Sequence, residues 1–175
     1  MSGKIGVNPS KNSGIIGAYD IRAGQTCEIK TTNNSNNSTT VAWYPFKEGE
    51  VTEVSNSNTS LFTADTTNDY GITINYPGRY WGFLQVYYTS PDSTGYSELL
   101  CSVWNGSGYD ANISNSYGIM YREHTGSNKW LTFTSHFAFD GVVGKTYGMK
   151  ISVQNGSVQI NAGHTKLILK YLGPK

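Results

Sequence analysis

Gly78-Arg-Tyr-Trp-Gly-Phe-Leu-Gln-Val-Tyr-Tyr88 is the stretch that decides the fold, because as a β-strand it is apolar on both faces. Successive side chains of a strand point to opposite sides. One face therefore carries Tyr80, Leu84, Val86 and Tyr88, and the other carries Trp81, Phe83 and Tyr87. A two-layer β domain needs only one of these faces for its own core. Burial of one such side chain contributes about 1.5–3 kcal/mol, so we expect the second face to be covered as well.

We interpret the face of Trp81, Phe83 and Tyr87 as a subunit interface that further copies of the chain cover. An alternative within one chain stays open, since a central strand beneath a loop or a third layer would hide the same rings.

Strand-like runs separated by turn clusters continue from residue 18 to the end of the chain, without a helical period. The predicted strands are 18–22, 26–32, 41–46, 50–54, 60–64, 71–75, 80–88, 98–104, 129–139, 147–153, 158–162 and 166–172. Residues 111–121 are ambiguous. Gln154-Asn-Gly-Ser157 contains Asn-Gly, the strongest local signal for a β-hairpin. The pattern predicts an all-β sandwich of about ten strands.

The composition of the 175-residue chain limits its class and its partners. Only 14% of the residues are charged, and Asn, Ser, Thr and Gly take the place of charge. A formal net charge of +1 gives no electrostatic case for nucleic acid or an anionic membrane as partner. No apolar run approaches the roughly 18 residues of a membrane-spanning helix, so we expect no membrane insertion.

The first 17 residues have the composition of an arm rather than of a core strand. They are rich in Gly, Ser and Asn, with isolated apolar residues at Ile5, Val7, Ile15 and Ile16. We predict that residues 1–17 attach the protein to a partner protein through these apolar side chains, and that residues 18–175 form the domain. The segment after Met1 lacks the apolar region of a secretory signal, so we expect synthesis and folding in a cytoplasm.

The residues that usually carry chemistry do not form a recognisable motif. His124, His136 and His164 are not at ligand spacing from one another or from a cysteine, so no metal is expected. No nucleophile motif or phosphate-binding glycine loop is present in the sequence. We therefore predict no enzymatic activity and no cofactor. Two alternatives stay open: a pair of carboxylates that meet only in space, and weak calcium binding by Asp65 with Asp69, or by Asp110.

The two cysteines, Cys27 and Cys101, are too few for a disulfide framework. Each lies in a strand-like run, where a free cysteine behaves as a small buried hydrophobe. A single disulfide between them stays open and would need an oxidising compartment.

Three tyrosines form a candidate ligand-binding loop. Tyr109, Tyr117 and Tyr121 lie among Gly, Asn and Ser in residues 105–128. Tyrosine with these small residues is typical of adaptable binding loops. We predict a surface for a host-cell receptor or glycan, with the alternative that long connections simply fold over the ends of the sandwich.

Four segments resemble a known superfamily when they are taken in order. They are Ile72-Thr-Ile-Asn-Tyr-Pro-Gly-Arg-Tyr-Trp-Gly-Phe83, Leu131-Thr-Phe-Thr134, Val143-Gly-Lys-Thr-Tyr-Gly-Met-Lys-Ile151 and Leu167-Ile-Leu-Lys-Tyr-Leu-Gly173. Together they resemble the complement globular-head and tumour necrosis factor-like jelly-roll superfamily. The resemblance implies a jelly-roll that forms a threefold trimer, with the aromatic strand lining the axis. Gly144-Lys145 stands where many members carry Gly-Asp, which argues against a metal site in that loop.

A trimeric jelly-roll of this composition is similar in character to exterior virion proteins of tailed bacteriophages. We expect a non-enzymatic structural protein of a virion exterior, a capsid-decoration or head-fibre protein assembled in the host cytoplasm. Its partners would be its sister copies and a capsid or other virion protein. Two alternatives stay open, because a fold does not determine a function: a receptor- or carbohydrate-binding tip of a phage fibre, and a secreted complement- or cytokine-like ligand.

Overall fold

The computed structural model describes residues 22–31, 35–37, 51–65, 71–89, 94–103, 116–125, 130–153, 158–161 and 163–175. The predicted arm at 1–17 with its four apolar residues, the predicted strand at 41–46, and Tyr109 lie outside these residues. The strands are β1 Thr26–Thr31, β2 Ser35–Asn37, β3 Val51–Asn56, β4 Phe62–Asp65, β5 Gly71–Ile74, β6 Gly78–Thr89, β7 Thr94–Val103, β8 Ser116–Thr125, β9 Trp130–Gly141, β10 Thr146–Val153, β11 Val158–Ile160 and β12 Lys166–Gly173.

Two antiparallel sheets pack face to face. Sheet A has the order β2-β11-β6-β12-β1-β3, and β9 also pairs with β6. Sheet B has the order β4-β5-β10-β7-β8. Most neighbours within a sheet are distant in sequence, as in a jelly-roll, and only the pairs β4-β5 and β7-β8 of the described strands are consecutive along the chain. The predicted all-β jelly-roll is confirmed, and the described residues form twelve strands.

Strand β6 lies near the centre of sheet A and has the two faces that the sequence predicts. It pairs with β12 along Arg79–Gln85 and with β9 along its whole length, from Gly78 opposite Gly141 to Thr89 opposite Trp130. The side chains of Tyr80, Leu84, Val86 and Tyr88 are fully buried. Those of Trp81, Phe83 and Tyr87 are half-buried on the other face.

The core between the sheets is rich in tyrosine. Tyr80 stacks on Phe139 with ring centroids 5.7 Å apart and meets Tyr171 edge-on at 5.3 Å. The ring of Tyr147 lies 4.7 Å from that of Phe139. The hydroxyl of Tyr80 donates a hydrogen bond to the carbonyl of Tyr76 at 2.6 Å, so this ring is buried without leaving its polar end unpaired.

The turn before β6 requires glycine at position 78. Gly78 has a φ of 154°, and a Cβ there would meet the Tyr171 ring and the carbonyl of Gly173. Both the positive φ and the close approach favour glycine. The turn between β5 and β6 thus carries the chain from sheet B to sheet A.

The hairpin predicted at Asn155-Gly156 is wrong. Strand β10 pairs with β5 and β7 in sheet B, whereas β11 pairs with β2 and β6 in sheet A. The turn itself lies outside the described residues, but the strands on either side belong to different sheets. Pairing of β10 with β7 along Tyr147–Val153 therefore outweighs a preference that depends on the turn alone.

Both cysteines are free and buried, so the open alternative of a disulfide is not realised in this structure. Cys27 lies on β1 of sheet A, and Cys101 lies on β7 of sheet B. Burial raises the pKa of the Cys27 thiol to about 12 and also raises the pKa of Cys101. Both side chains are therefore uncharged thiols at neutral pH, with little nucleophilic character.

Candidate functional site

The outward side of sheet A, around β6 and β9, carries a cluster of rings that we call the aromatic face. Its members are Trp81, Phe83, Tyr87, Trp130, His136 and His164. Alternation along paired strands places the first five on one side of the sheet, and the turn before β12 brings His164 beside them.

The first half of the aromatic face is built around Phe83. Trp81 lies two residues earlier on β6 and stacks on Phe83, with ring centroids 6.3 Å apart and planes at 14°. His136 lies directly opposite Phe83 on β9, at 4.9 Å from its ring and 5.4 Å from the ring of Trp81. The ammonium of Lys166 on β12 lies 5.7 Å from the Phe83 centroid, within the range of a cation–π contact.

The second half is built around Tyr87. Trp130 stacks on it at 4.8 Å and 24°, and His164 meets it edge-on at 5.5 Å. The side-chain amide of Gln85 donates a hydrogen bond to the carbonyl of His164 at 3.0 Å, which holds this turn against β6. Trp130 is 42% exposed although it stacks on a neighbour.

The aromatic face has the character of a contact surface. Its rings lie on regular strands, touch one another and remain partly exposed, and the alternate positions Thr132 and Thr134 on β9 are exposed and uncharged. Clustered apolar rings of this kind are typical of interaction sites. Within the described residues, no three His, Cys, Asp or Glu side chains come together as a metal site would require.

The three residues predicted for a trimer interface, Trp81, Phe83 and Tyr87, are thus brought together on one face. The sequence does not predict that Trp130, His136 and His164 join them. Trp130 and His136 share the parity of Thr132 and Thr134, so alternation alone could have placed them on one side. Their contact with the β6 rings depends on the register between β9 and β6, which the sequence does not reveal.

The structure corrects the prediction that Tyr109, Tyr117 and Tyr121 form a ligand-binding loop. Tyr117 and Tyr121 lie in strand β8, not in a loop, and Tyr109 is outside the described residues. Tyr117 packs towards the core, 5.0 Å from Phe139, and burial raises its pKa. Gly118 follows it with a φ of 61°, where the register between β7 and β8 shifts as in a β-bulge. Because of this glycine, the sequence of β8 resembles that of a loop. Tyr121 is 64% exposed, and its part in ligand binding stays a prediction.

A charged cluster lies where β6 and β9 meet the end of the chain. The Asp140 carboxylate is 2.7 Å from the Lys175 ammonium and 3.6 Å from the Arg79 guanidinium. The hydrogen bond from Lys175 is the main reason why the pKa of Asp140 is lowered. A cavity of about 360 Å³ lies beside it, lined in part by Tyr80 and Phe139. All three charged side chains are exposed, so the ion pairs contribute little to stability.

Neither the protein-family models nor the curated protein sequences give a match to this chain. Similarity is found among solved structures. Eiger TNF from S. frugiperda superposes with a TM-score of 0.58 at 11% identity, covering 88% of this chain and 96% of that one. Murine APRIL at pH 5.0 gives 0.55 at 15% identity, covering 85% and 99%. Murine APRIL at pH 8.5 gives 0.58 at 14% identity, covering 85% and 98%.

These likenesses confirm the resemblance to tumour necrosis factor-like jelly-rolls at the level of the fold. The similarity extends over almost the whole length of each neighbour. None of the described segments is an apolar helix of the length needed to cross a membrane.

Proposed function

We propose that this protein forms a homotrimer through the aromatic face and acts by binding other macromolecules, without catalysis. The observation that carries the proposal is the stacked, half-buried set of Trp81, Phe83 and Tyr87 on a strand whose other face already fills the core. Covering large rings of this kind contributes about 1.5–3 kcal/mol for each side chain. The jelly-roll resemblance adds an arrangement in which the corresponding strand lines a threefold axis.

The mass of the particle in solution tests this proposal. Light scattering coupled to size exclusion should give about three times the 19.2 kDa of one chain. The double variant Trp81→Glu/Phe83→Glu should elute as a folded monomer, because six carboxylates around one axis would repel one another and lose their hydration. Tyr96→Glu, the same kind of change at an exposed ring on sheet B, is the matched control and should remain trimeric. A wild-type mass of one chain, or a trimeric double variant, would refute the proposal.

For the biological setting we propose the exterior of a virion, as a capsid-decoration or head-fibre knob attached through residues 1–17. The support is compositional: a low charged fraction, abundant Asn, Ser, Thr and Gly, and an arm with isolated Ile and Val residues. Deletion of residues 2–16 should leave a folded trimer that no longer sediments with its particles. Unchanged co-sedimentation would overturn the role of the arm.

A second candidate is a secreted ligand, and the fold likeness to Eiger TNF and murine APRIL is the observation that favours it. A secreted ligand and a virion protein differ in whether the protein binds to a cell surface. Saturable binding of the labelled trimer to cells, together with no affinity for virus particles, would favour the ligand. A receptor- or carbohydrate-binding fibre tip would bind both a host cell and its own particle, and a glycan array would show which sugars compete.

A further inference from the structure

Sheet B carries a second surface, which we call the Tyr–Glu patch. It consists of the exposed Tyr96 and the half-buried Glu98 on β7, with the exposed Tyr121 and Glu123 on β8. These side chains point away from the core, because the alternate β7 residues Ser97, Leu99 and Cys101 are fully buried. The surface lies on the opposite sheet from the aromatic face, so the proposed trimer does not use it.

Rings and carboxylates alternate within the Tyr–Glu patch. The register places Tyr96 opposite Glu123, and Glu98 opposite Tyr121. The two tyrosine rings lie 6.4 Å apart at 60°, and they are 43% and 64% exposed. The hydroxyl of Tyr121 donates a hydrogen bond to the Glu98 carboxylate, which raises the pKa of Tyr121 and holds the ring beside the charge.

Among the residues that the structure describes, the basic side chains near the patch leave its negative charge largely uncompensated. Arg122 lies between Tyr121 and Glu123 in sequence but is paired with the buried Ser97, and its charge acts on Tyr88 in the core. Arg122 is exposed, but it lies on the other face of the strand from Tyr121 and Glu123. On the adjoining strand β10, Lys150 faces outward two residues from the position opposite Glu98. It lies on the side away from β8, so it does not approach Glu123.

We propose that the Tyr–Glu patch binds an arginine side chain on an extended segment of a partner protein. A guanidinium is planar, so it can lie against an exposed tyrosine ring while its N–H groups donate to a carboxylate. In the patch each tyrosine ring has a carboxylate beside it, and the two Tyr–Glu pairs together form a two-by-two array. In a trimer this surface would be present three times, which strengthens the attachment of a partner that has several arginines.

Peptide binding tests the inference. A short fluorescent Gly/Ser peptide with two arginines is titrated with the protein, and anisotropy reports binding. A peptide with citrulline in place of arginine keeps the shape and removes the charge, and it should bind at least about tenfold more weakly. A lysine peptide should also be weaker, since an ammonium lacks the planar fork. Equal affinity for the arginine and citrulline peptides, or for arginine and lysine, would overturn the proposal, as would the absence of saturable binding.

Variants locate the site. Glu98→Gln and Glu123→Gln should each weaken binding of the arginine peptide about tenfold, because each removes one charged acceptor. Glu28→Gln on β1 of sheet A makes the same change of charge elsewhere and should leave the affinity unchanged. Tyr121→Ala should weaken binding, whereas Tyr121→Phe keeps the stacking surface and should retain most of it. An affinity that does not change in either glutamine variant would refute the assignment.

The inference is separable from the proposed trimer. The same titration on the double variant Trp81→Glu/Phe83→Glu should give an unchanged affinity for a peptide with a single arginine. Loss of the trimer with retained peptide binding would therefore leave the patch assignment standing, and a trimer without peptide binding would remove only the patch.

Discussion

The ring of Phe137 on β9 lies over Gly82, directly opposite it on β6, and fills the space where a side chain of residue 82 would be. The same ring is next to Gly118 on β8, so one side chain packs against glycines of both sheets. Phe137 thus lies where the edge of sheet B approaches β9 and closes that side of the sandwich. An aromatic ring over a strand glycine also supplies the packing that glycine itself lacks.

We predict that Gly82→Ala lowers the free energy of unfolding by about 1–3 kcal/mol, because the new Cβ overlaps the Phe137 ring. The sign is informative, since alanine in place of glycine in a strand otherwise stabilises by about 0.5–1 kcal/mol. Chemical denaturation followed by fluorescence measures the change. In the presence of Phe137→Leu, which frees space at the same point, the cost of Gly82→Ala should shrink. A neutral or stabilising Gly82→Ala would contradict the packing described.

We predict that the protein loses stability as the pH rises from about 9 towards 12. Burial raises the pKa of Cys27 from 9.0 to about 12 and the pKa of Tyr147 from 10.0 to about 12. The unfolded chain therefore ionises first, so the stabilising contribution of these neutral groups is complete below pH 9 and disappears as the pH passes through the folded values. Urea midpoints across this range measure the effect. Cys27→Val should flatten the pH dependence, and an unchanged slope would count against the thiol.

The two tyrosines of β8 should respond differently to truncation. Tyr117 packs against Phe137 and Phe139, so Tyr117→Ala should cost about 2 kcal/mol of stability. Tyr121 is mostly exposed, and Tyr121→Ala should change stability by no more than about 0.5 kcal/mol. Thermal unfolding of both variants in one buffer gives the comparison. Equal losses would show that β8 presents its faces differently from this structure.

The two apolar faces of β6 could be predicted from the sequence, because side chains alternate along a strand with a fixed period of two and large rings occur on both sides. The residues that pack against those rings could not be predicted in this way. Trp130 meets Tyr87 only through the pairing of β9 with β6, a contact between residues 43 positions apart that no local pattern encodes. The prediction of a hairpin at Asn155-Gly156 was wrong for a related reason. A turn preference is local, whereas the sheet to which a strand belongs is decided by distant neighbours.

Trp130 provides a further test of the proposed trimer, because the interface was first assigned without it. Its ring is 42% exposed and stacks on Tyr87 at 4.8 Å, so in a trimer it would lose its remaining exposure. We predict that Trp130→Ala raises the concentration at which the trimer dissociates at least about tenfold, since removal of a large interface ring typically costs more than about 1 kcal/mol in each contact. Sedimentation of diluted samples measures this.

Because the contact is apolar, raising the salt to about 1 M should not dissociate the wild type, in contrast to an ionic interface. Tyr96→Ala, which removes an exposed ring on sheet B, is the matched control. A dissociation concentration that is the same for Trp130→Ala and wild type would restrict the interface to the Trp81 half of the face.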